Sequence, residues 1–232
     1  MTSGDRSRAA LREDDDGGAP RTAAMVAVVL SFAAGATDAF AFLQLGGIFT
    51  ANMTGNLVLA GLFHRPHYLT TLVGATVAVV VFGATAYLGF RLTSSRSGPS
   101  RGTRLLIIAA SFAQLAVLAG YALAGHPPGH LLLGVFIALS SVAMACQTVI
   151  GRTIEAKSGV TTTFVTGTLT SLMQTLAHNR RDFLAVRTLS IVALVAGALT
   201  GALTSATDPL FGATLPLVPS FAALVLLLRG RR

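Results

Sequence analysis

The sequence predicts an all-α membrane protein with six transmembrane helices in two inverted three-helix repeats, each with a re-entrant half-helix. Three observations predict this fold. The composition is 53% hydrophobic and 11% charged, with a mean hydropathy of +0.70. Long apolar runs follow one another along the chain, and a short polar motif occurs twice. Soluble domains carry about 25% charged residues, so this chain has too little charge to cover a soluble surface.

Six apolar runs reach or approach the roughly 18 uncharged residues that a membrane-spanning helix needs. They are Ala23 to Leu45, Leu69 to Phe90, Leu105 to Ala124, Leu131 to Ile150, Thr188 to Leu203 and Leu210 to Leu228. The first run is long enough to span and has no cleavage motif, so it is interpreted as a retained helix. The polar residues 1–22 are predicted to be a disordered cytoplasmic tail. Residues 23–228 are predicted to form a single transmembrane domain, and residues 229–232 a basic cytoplasmic end.

The formal net charge is +8, and the placement of the charges explains it as a topology signal rather than as a nucleic-acid surface. With six spans and a cytoplasmic N-terminus, only Arg65 of the 17 basic residues falls outside. With eight spans, the four arginines of the loop 91–104 and the pair Arg152 and Lys157 would lie outside, which leaves 11 basic residues inside and 6 outside. The charges therefore favour six spans in the bacterial inner membrane, with both termini in the cytoplasm.

A polar motif is repeated between the two halves of the chain, about residues 23–124 and 131–228. The segment 49–57 reads FTANMTGNL and the segment 161–169 reads TTTFVTGTL, so that Thr-Gly and a following Leu recur at an offset of 112 residues. Each motif follows an apolar run and precedes two more. Because three spans per half is an odd number, the second half must enter the membrane upside down, as in many transporters.

Each motif is predicted to begin a half-length helix inside the membrane, where backbone groups left free by the chain break need partners. Asn and Thr side chains cap helix N-termini, and Gly permits close backbone approach. The alternative is that these residues only cap and pack two re-entrant helices, since Ser, Thr and Asn also join membrane helices without any ligand. The predicted substrate- or ion-binding residues are Asp38, Asn52, Thr54, Asn56, Gln147, Thr163 and Thr166, with structural glycines at Gly35, Gly55 and Gly167.

Asp38 is the one acidic residue predicted to lie deep in a span. An acid there costs about 2.5–3.5 kcal/mol on insertion scales, so it usually faces the bundle interior. Two roles are open: proton coupling or cation binding, and a structural bond to the N-terminus of a half-helix. Gly35 lies on the same helix face and would admit a neighbouring helix. Gly197 and Gly201 form a G-x-x-x-G pair, which predicts close packing within the bundle or between protomers of a homo-oligomer.

These motifs resemble the YoaK family of uncharacterised bacterial inner-membrane proteins. The resemblance is carried by Gly35 to Ala39, Gly46 to Phe49, Asn52 to Asn56, Ala145 to Gln147 with Arg152, and Thr162 to Thr168. The family often has Asn after the Gln and His before the Met, where this chain has Thr148 and Asn52. The resemblance implies a six-helix integral membrane protein and implies no activity.

The function predicted from the sequence is transport or permeation of a small solute, with proton coupling through Asp38 as a further hypothesis. One alternative is a membrane scaffold or sensor with a purely structural polar cluster. The other is a membrane enzyme that acts on lipid or quinone. The sequence contains no phosphate-binding loop, no nucleophile elbow and no zinc-protease motif, so a non-enzymatic role without a cofactor is favoured. The histidines in the predicted outer loops lack accompanying Cys or acid, so no metal site is predicted.

Overall fold

The computed structural model describes the backbone of residues 3–94, 99–124, 128–158, 165–178 and 183–217. Within these ranges the side chains of residues 3–22, 99–100, 154–158 and 165 are left undescribed. The described part of the chain is all helical. Its helices are α1 (Ser3–Gln44), α2 (Met53–Gly61), α3 (Tyr68–Thr93), α4 (Pro99–Leu123), α5 (His130–Ser158), α6 (Val165–Ala177), α7 (Leu184–Thr207) and α8 (Pro209–Thr214).

Five of these helices are long and apolar enough to cross a membrane, which makes the chain a multi-pass membrane protein. The spans are Ala23–Gln44, Tyr68–Thr93, Arg101–Leu123, His130–Thr153 and Leu184–Thr207. They contain or overlap the first five predicted runs. The predicted sixth run, 210–228, begins in α8, but its residues 218–228 lie outside the described chain.

The outward faces of the spanning helices are apolar. Phe112 on α4 and Leu203 on α7 are 72% and 68% exposed, and large apolar side chains on α3 are exposed in the same way. Such a surface would be unfavourable in water, because large exposed apolar patches associate with other apolar surfaces. These apolar faces are therefore the ones that the helices present to the lipid bilayer.

The first helix begins earlier than the composition of the N-terminus predicts. α1 is helical from Ser3, whereas residues 1–22 are predicted to be a disordered tail. The segment from Arg8 to Glu13 contains Ala, Leu, Arg and Glu, which have high helix propensity. In a continuous helix each backbone N–H bonds the carbonyl oxygen four residues earlier, so the hydrogen bonds of the apolar span continue into the polar segment.

The chain reverses direction directly after α1. Gly46 and Gly47 have φ values of 79° and 75°, a backbone region that glycine adopts without steric cost. Beyond them the chain returns beside α1, since the rings of Phe49 and Phe42 stack with centroids 4.9 Å apart. The following helix, α2, has nine residues and is about 13 Å long, which is less than half of the roughly 30 Å hydrocarbon layer.

Glycines let α1 and α7 cross in backbone contact. A Cβ at Gly35 would overlap the carbonyl oxygen of Leu194, and one at Gly197 would overlap that of Phe32. A Cβ at Gly201 would lie 2.8 Å from the carbonyl oxygen of Ala36. Gly35 therefore lies where α7 crosses α1, and the G-x-x-x-G pair packs within the bundle. Packing between protomers remains a prediction.

The other helices pack around this crossing. One apolar cluster joins α1, α3, α4 and α5 around Phe40, Tyr121 and Phe136, and a second joins α4 and α5 around Ile107 and Val149. The main helix pairs in contact are α1–α7, α3–α5, α4–α5, α1–α8, α2–α3, α6–α7, α3–α4, α7–α8, α1–α5 and α4–α8. Of the five spans, those of α1 and α5, the first helix of each half, are the most buried.

Candidate functional site

The carboxylate of Asp38 holds the chain break that precedes α2. The backbone N–H groups of Thr50 and Ala51 each donate to Asp38 Oδ1 at 2.7 Å. The N–H of Asn52 donates to Asp38 Oδ2 at 3.1 Å. These N–H groups have no partner of their own in a helix or sheet, and a buried N–H group left without an acceptor costs about 1–3 kcal/mol. Both carboxylate oxygens of Asp38 therefore accept hydrogen bonds from the backbone.

Two asparagines complete the same break. Asn52 is the N-cap of α2, since its Oδ1 accepts from the N–H of Gly55 at 3.1 Å. Asn56 is fully buried, and its amide pairs with both backbone groups of Phe49. The N–H of Phe49 donates to Asn56 Oδ1 at 3.0 Å, and Asn56 Nδ2 donates to the carbonyl oxygen of Phe49 at 2.6 Å. Polar side chains thus replace the missing helical hydrogen bonds of segment 49–52.

The break is also tied to the second half of the chain. Ser140 on α5 donates its hydroxyl to Thr50 Oγ1 at 3.2 Å, and both residues are buried. Gly55 packs against a side chain rather than a backbone, because a Cβ there would lie 2.8 Å from the Phe49 ring. The break is therefore a fixed part of the bundle interior.

A cavity of about 80 Å³ lies between α1, α5, α6 and α7, next to this break. Five of its lining residues carry a hydroxyl or amide: Ser31, Gln147, Thr148, Thr168 and Ser190. Its other lining residues are alanines, leucines, an isoleucine, a methionine and a glycine. A cavity of this volume with several polar partners has room for a few water molecules or one small solute.

Two hydroxyls in this cavity are buried without a hydrogen-bond partner. Thr168 on α6 is 1% exposed and Ser190 on α7 is 3% exposed, and neither hydroxyl oxygen has a partner among the described residues. By contrast, Ser31 donates to the carbonyl oxygen of Ala27 within its own helix at 2.9 Å. A buried polar group without a partner costs about 1–3 kcal/mol, so the two hydroxyls favour a bound solute or water in the cavity.

The predicted site residues separate into three groups. Gln147 lines the cavity. Asp38, Asn52 and Asn56 hold the break, which reaches the cavity through Ala51. The others do not join either group in the structure: Thr54, Thr166 and Gly167 are exposed, and Thr163 lies outside the described residues.

Sequence reasoning did not place Ser190 in the site. It lies in an apolar run whose other signals concern packing, and a single serine in such a run is common. The available signal was its spacing, because Ser190, Leu194 and Gly197 recur at helical intervals on the face of α7 that meets α1. Thr168 was noticed only as part of the repeated motif, where it corresponds to Asn56.

Arg187 joins α6 to α7 beside the cavity. Its Nη1 donates to the carbonyl oxygen of Ser171 at 3.2 Å and to the hydroxyl of Thr175. Its Nε is buried and has no partner among the described residues. Ser171 and Arg187 each lie three residues from a cavity hydroxyl on the same helix, namely Thr168 and Ser190. The guanidinium is therefore about one helical turn from the cavity.

Comparisons with known proteins agree with the membrane fold. The family model described as "Protein of unknown function (DUF1275)" matches residues 26–228. The chain is also 30% identical over 200 residues to the UPF0700 transmembrane protein YoaK of Bacillus subtilis (strain 168). That match covers 75% of this chain and 80% of YoaK. No solved structure matches significantly. The chain therefore belongs to the YoaK family of transmembrane proteins, whose family model carries no assigned function.

Proposed function

We propose that this protein is a permease or secondary transporter whose solute occupies the cavity between α1, α5, α6 and α7. The observation that carries the proposal is the pair of buried, unpartnered hydroxyls of Thr168 and Ser190 in a cavity large enough for a small solute. Protein interiors are close-packed and most of their buried polar groups are paired, so two unpartnered hydroxyls that face one cavity favour a bound solute there.

The pattern of helix contacts supports an inverted repeat. If α1, α2, α3 and α4 are exchanged with α5, α6, α7 and α8, the set of contacting pairs is unchanged. For example, α1–α7 becomes α5–α3, α2–α3 becomes α6–α7, and α4–α5 becomes α8–α1. Three spans and one half-helix per half make this an antiparallel exchange, which is the plan of many transporters that bind solutes at the repeat interface.

The cavity lies closer to one side of the membrane than to the other. Ser31 is eight residues after the start of its span, and Ser190 is six residues after the start of α7. At 1.5 Å per residue, these are depths of about 12 and 9 Å. With the N-terminus in the cytoplasm, as the charges favour, the cavity belongs to the cytoplasmic half.

The corresponding region of the outer half is filled. There Ile48 from the break and Ile137 from α5 pack on Gly74 of α3, and a Cβ at Gly74 would lie 3.0 and 3.3 Å from them. Asn56, which corresponds to Thr168 in the repeat, is paired with Phe49 rather than unpartnered. The proposal therefore assigns this structure to an inward-facing state, in which one half of the repeat is closed and the other is open.

Asp38 has a separate role in this proposal. The sequence suggests proton coupling through Asp38, but its two oxygens accept three backbone N–H groups. We therefore assign it to holding the break. A second candidate function, a scaffold or sensor without transport, is favoured by this same observation, because such a protein needs the polar cluster only for structure. The cavity favours transport over a scaffold, and none of its lining residues among those described is an acid or histidine that would activate a hydroxyl for catalysis.

Uptake into vesicles distinguishes these functions. We expect purified full-length protein in proteoliposomes to accelerate the entry of at least one small solute over protein-free vesicles. Ser190→Phe should reduce that uptake at least tenfold, because the added ring fills a cavity of about 80 Å³. Leu189→Phe is the matched control, since Leu189 is the neighbouring residue and is 53% exposed on the surface of the bundle.

The scaffold function would be supported instead if no small solute in a broad panel entered faster than into protein-free vesicles. The cavity would lose its assigned role if Ser190→Phe, folded and inserted like wild type, transported as fast as Leu189→Phe.

A further inference from the structure

The described lining of the cavity has none of the carboxylates that a cation site uses. The described residues that line it are all uncharged, and hydroxyl and amide groups supply its polar surface. Sites for cations in membranes are built from carboxylates and carbonyl oxygens. Asp38 holds the break beside the cavity, and three backbone N–H groups donate to its carboxylate.

Arg187 brings a positive charge to the edge of the cavity. Its Nη1 bonds only neutral acceptors, the Ser171 carbonyl oxygen and the Thr175 hydroxyl, and its buried Nε has no described partner. The described side chains form no ion pair with it. A guanidinium in a low-dielectric interior attracts an anion strongly, because Coulomb interactions are poorly screened there. Arg152 lies one turn beyond the cavity residue Thr148 on α5, so a second arginine is at the same end of the cavity.

The first turn of α6 adds to this positive potential. Thr168 belongs to that turn, and its buried, unpartnered hydroxyl lines the cavity. The N-terminal end of a helix carries a partial positive charge and free N–H groups, which favour anions. In half-helices of transporters the same end is directed at anionic groups of the substrate.

We propose that the cavity binds a small monovalent anion, held by the hydroxyls of Thr168 and Ser190 and attracted by Arg187. This inference rests on the proposed transport function and names the class of its solute. Hydroxyl groups donate to the anion, so both unpartnered oxygens gain an acceptor when it binds. Arg187 interacts with the anion at about one turn's distance while it stays bonded to α6, which makes it a selectivity residue.

Three planar solutes of similar size test the sign of the charge: nitrate, urea and guanidinium. In proteoliposomes with the full-length protein at pH 7, nitrate should enter at least tenfold faster than urea, and guanidinium should enter most slowly. Arg187→Gln should lower nitrate entry about tenfold and leave urea entry within twofold of wild type. Arg187→Lys should retain most of the nitrate preference because it retains the charge.

Arg91→Gln is the matched control, because Arg91 is exposed near the end of α3 and its removal changes the net charge by the same amount. It should leave the nitrate-to-urea ratio unchanged. Should Arg187→Gln fail to fold, Thr168→Val with Ser190→Ala is the second variant, and it should weaken nitrate entry without removing a charge. Nitrate binding can also be measured without transport. Nitrate should raise the melting temperature of the detergent-solubilised wild type.

The outcomes separate the two proposals. If urea or guanidinium enters through the protein as fast as nitrate, the anion inference is wrong and the transport function stands. If nitrate preference survives in Arg187→Gln, the assignment of selectivity to Arg187 is wrong. If none of the three solutes binds, or enters faster than into protein-free vesicles, the anion inference is wrong, and the broader solute panel decides whether transport is wrong too.

Discussion

Gly35→Ala and Gly197→Ala should each prevent normal assembly of the bundle. The added methyl group would overlap a carbonyl oxygen of the facing helix, Leu194 for Gly35 and Phe32 for Gly197. A backbone atom cannot move aside as the end of a side chain can, so α1 and α7 must separate along their whole contact. Overpacking of a well-packed interior costs about 1–3 kcal/mol, and a backbone contact lies at the upper end of that range or above it. We expect a lower melting temperature in detergent and less monodisperse protein on size exclusion.

Gly83→Ala and Gly134→Ala are the matched controls. Both glycines lie within spanning helices, and a Cβ at either position would meet nothing within 4 Å. Alanine is also the better helix former, so these variants should be as stable as wild type or slightly more stable. Equal melting temperatures for Gly35→Ala and Gly83→Ala would show that the α1–α7 crossing is wrong.

Asp38→Ala should destabilise the protein more than Asp38→Asn. Alanine leaves the N–H groups of Thr50, Ala51 and Asn52 without an acceptor, at a cost of about 1–3 kcal/mol for each group that water does not reach. Asparagine keeps one acceptor oxygen for the two bonds that now reach Oδ1. The side-chain NH2 group of the new asparagine then faces the N–H of Asn52. Because both groups are donors, that one hydrogen bond is lost. Thermal or denaturant unfolding in detergent should give the order wild type, Asp38→Asn, Asp38→Ala from most to least stable.

The same variants separate a structural role of Asp38 from proton coupling. If Asp38 holds the break, solute entry by Asp38→Asn should fall only in proportion to the folded protein, with an unchanged response to a pH gradient. If Asp38 carries the coupled proton, Asp38→Asn should fold normally and lose accumulation driven by the pH gradient. An Asp38→Ala variant as stable as wild type would contradict the role assigned to it here.

The fold could be predicted from the sequence wherever a physical constraint acts on many residues at once. Apolar runs without charge have few alternatives to spanning, so five spans were predicted close to their observed bounds. The polar motif at 50–56 was recognised because Asn and Thr stand out within apolar sequence, and in the structure Asn52 and Asn56 bond backbone groups at the chain break. Gly35 was predictable as a packing residue because it shares a helix face with Asp38.

The site was predicted less well because it depends on which helix faces meet. Asp38 and Asn56 were grouped with Gln147 as ligands, since sequence shows that a side chain is polar but not which partner it finds. In the structure, the partner of Asp38 is the backbone of its own half, whereas Gln147 faces the cavity. Ser190 and Arg187 gained their roles from the contact of α7 with α6 and α1, to which the helical spacing of Ser190, Leu194 and Gly197 was the one local signal.

The proposed function depends most on one property, a water-accessible cavity that opens toward the cytoplasm. Thiol labelling measures it directly, because Cys146 is the single cysteine and is buried, and it can be replaced by alanine. In that background, Thr168→Cys and Ser190→Cys should react with a membrane-impermeant, anionic methanethiosulfonate in inside-out vesicles, while Leu189→Cys on the outer face of α7 should not. Failure of both cavity positions to react above the rate at Leu189→Cys, in correctly folded protein, would contradict the account.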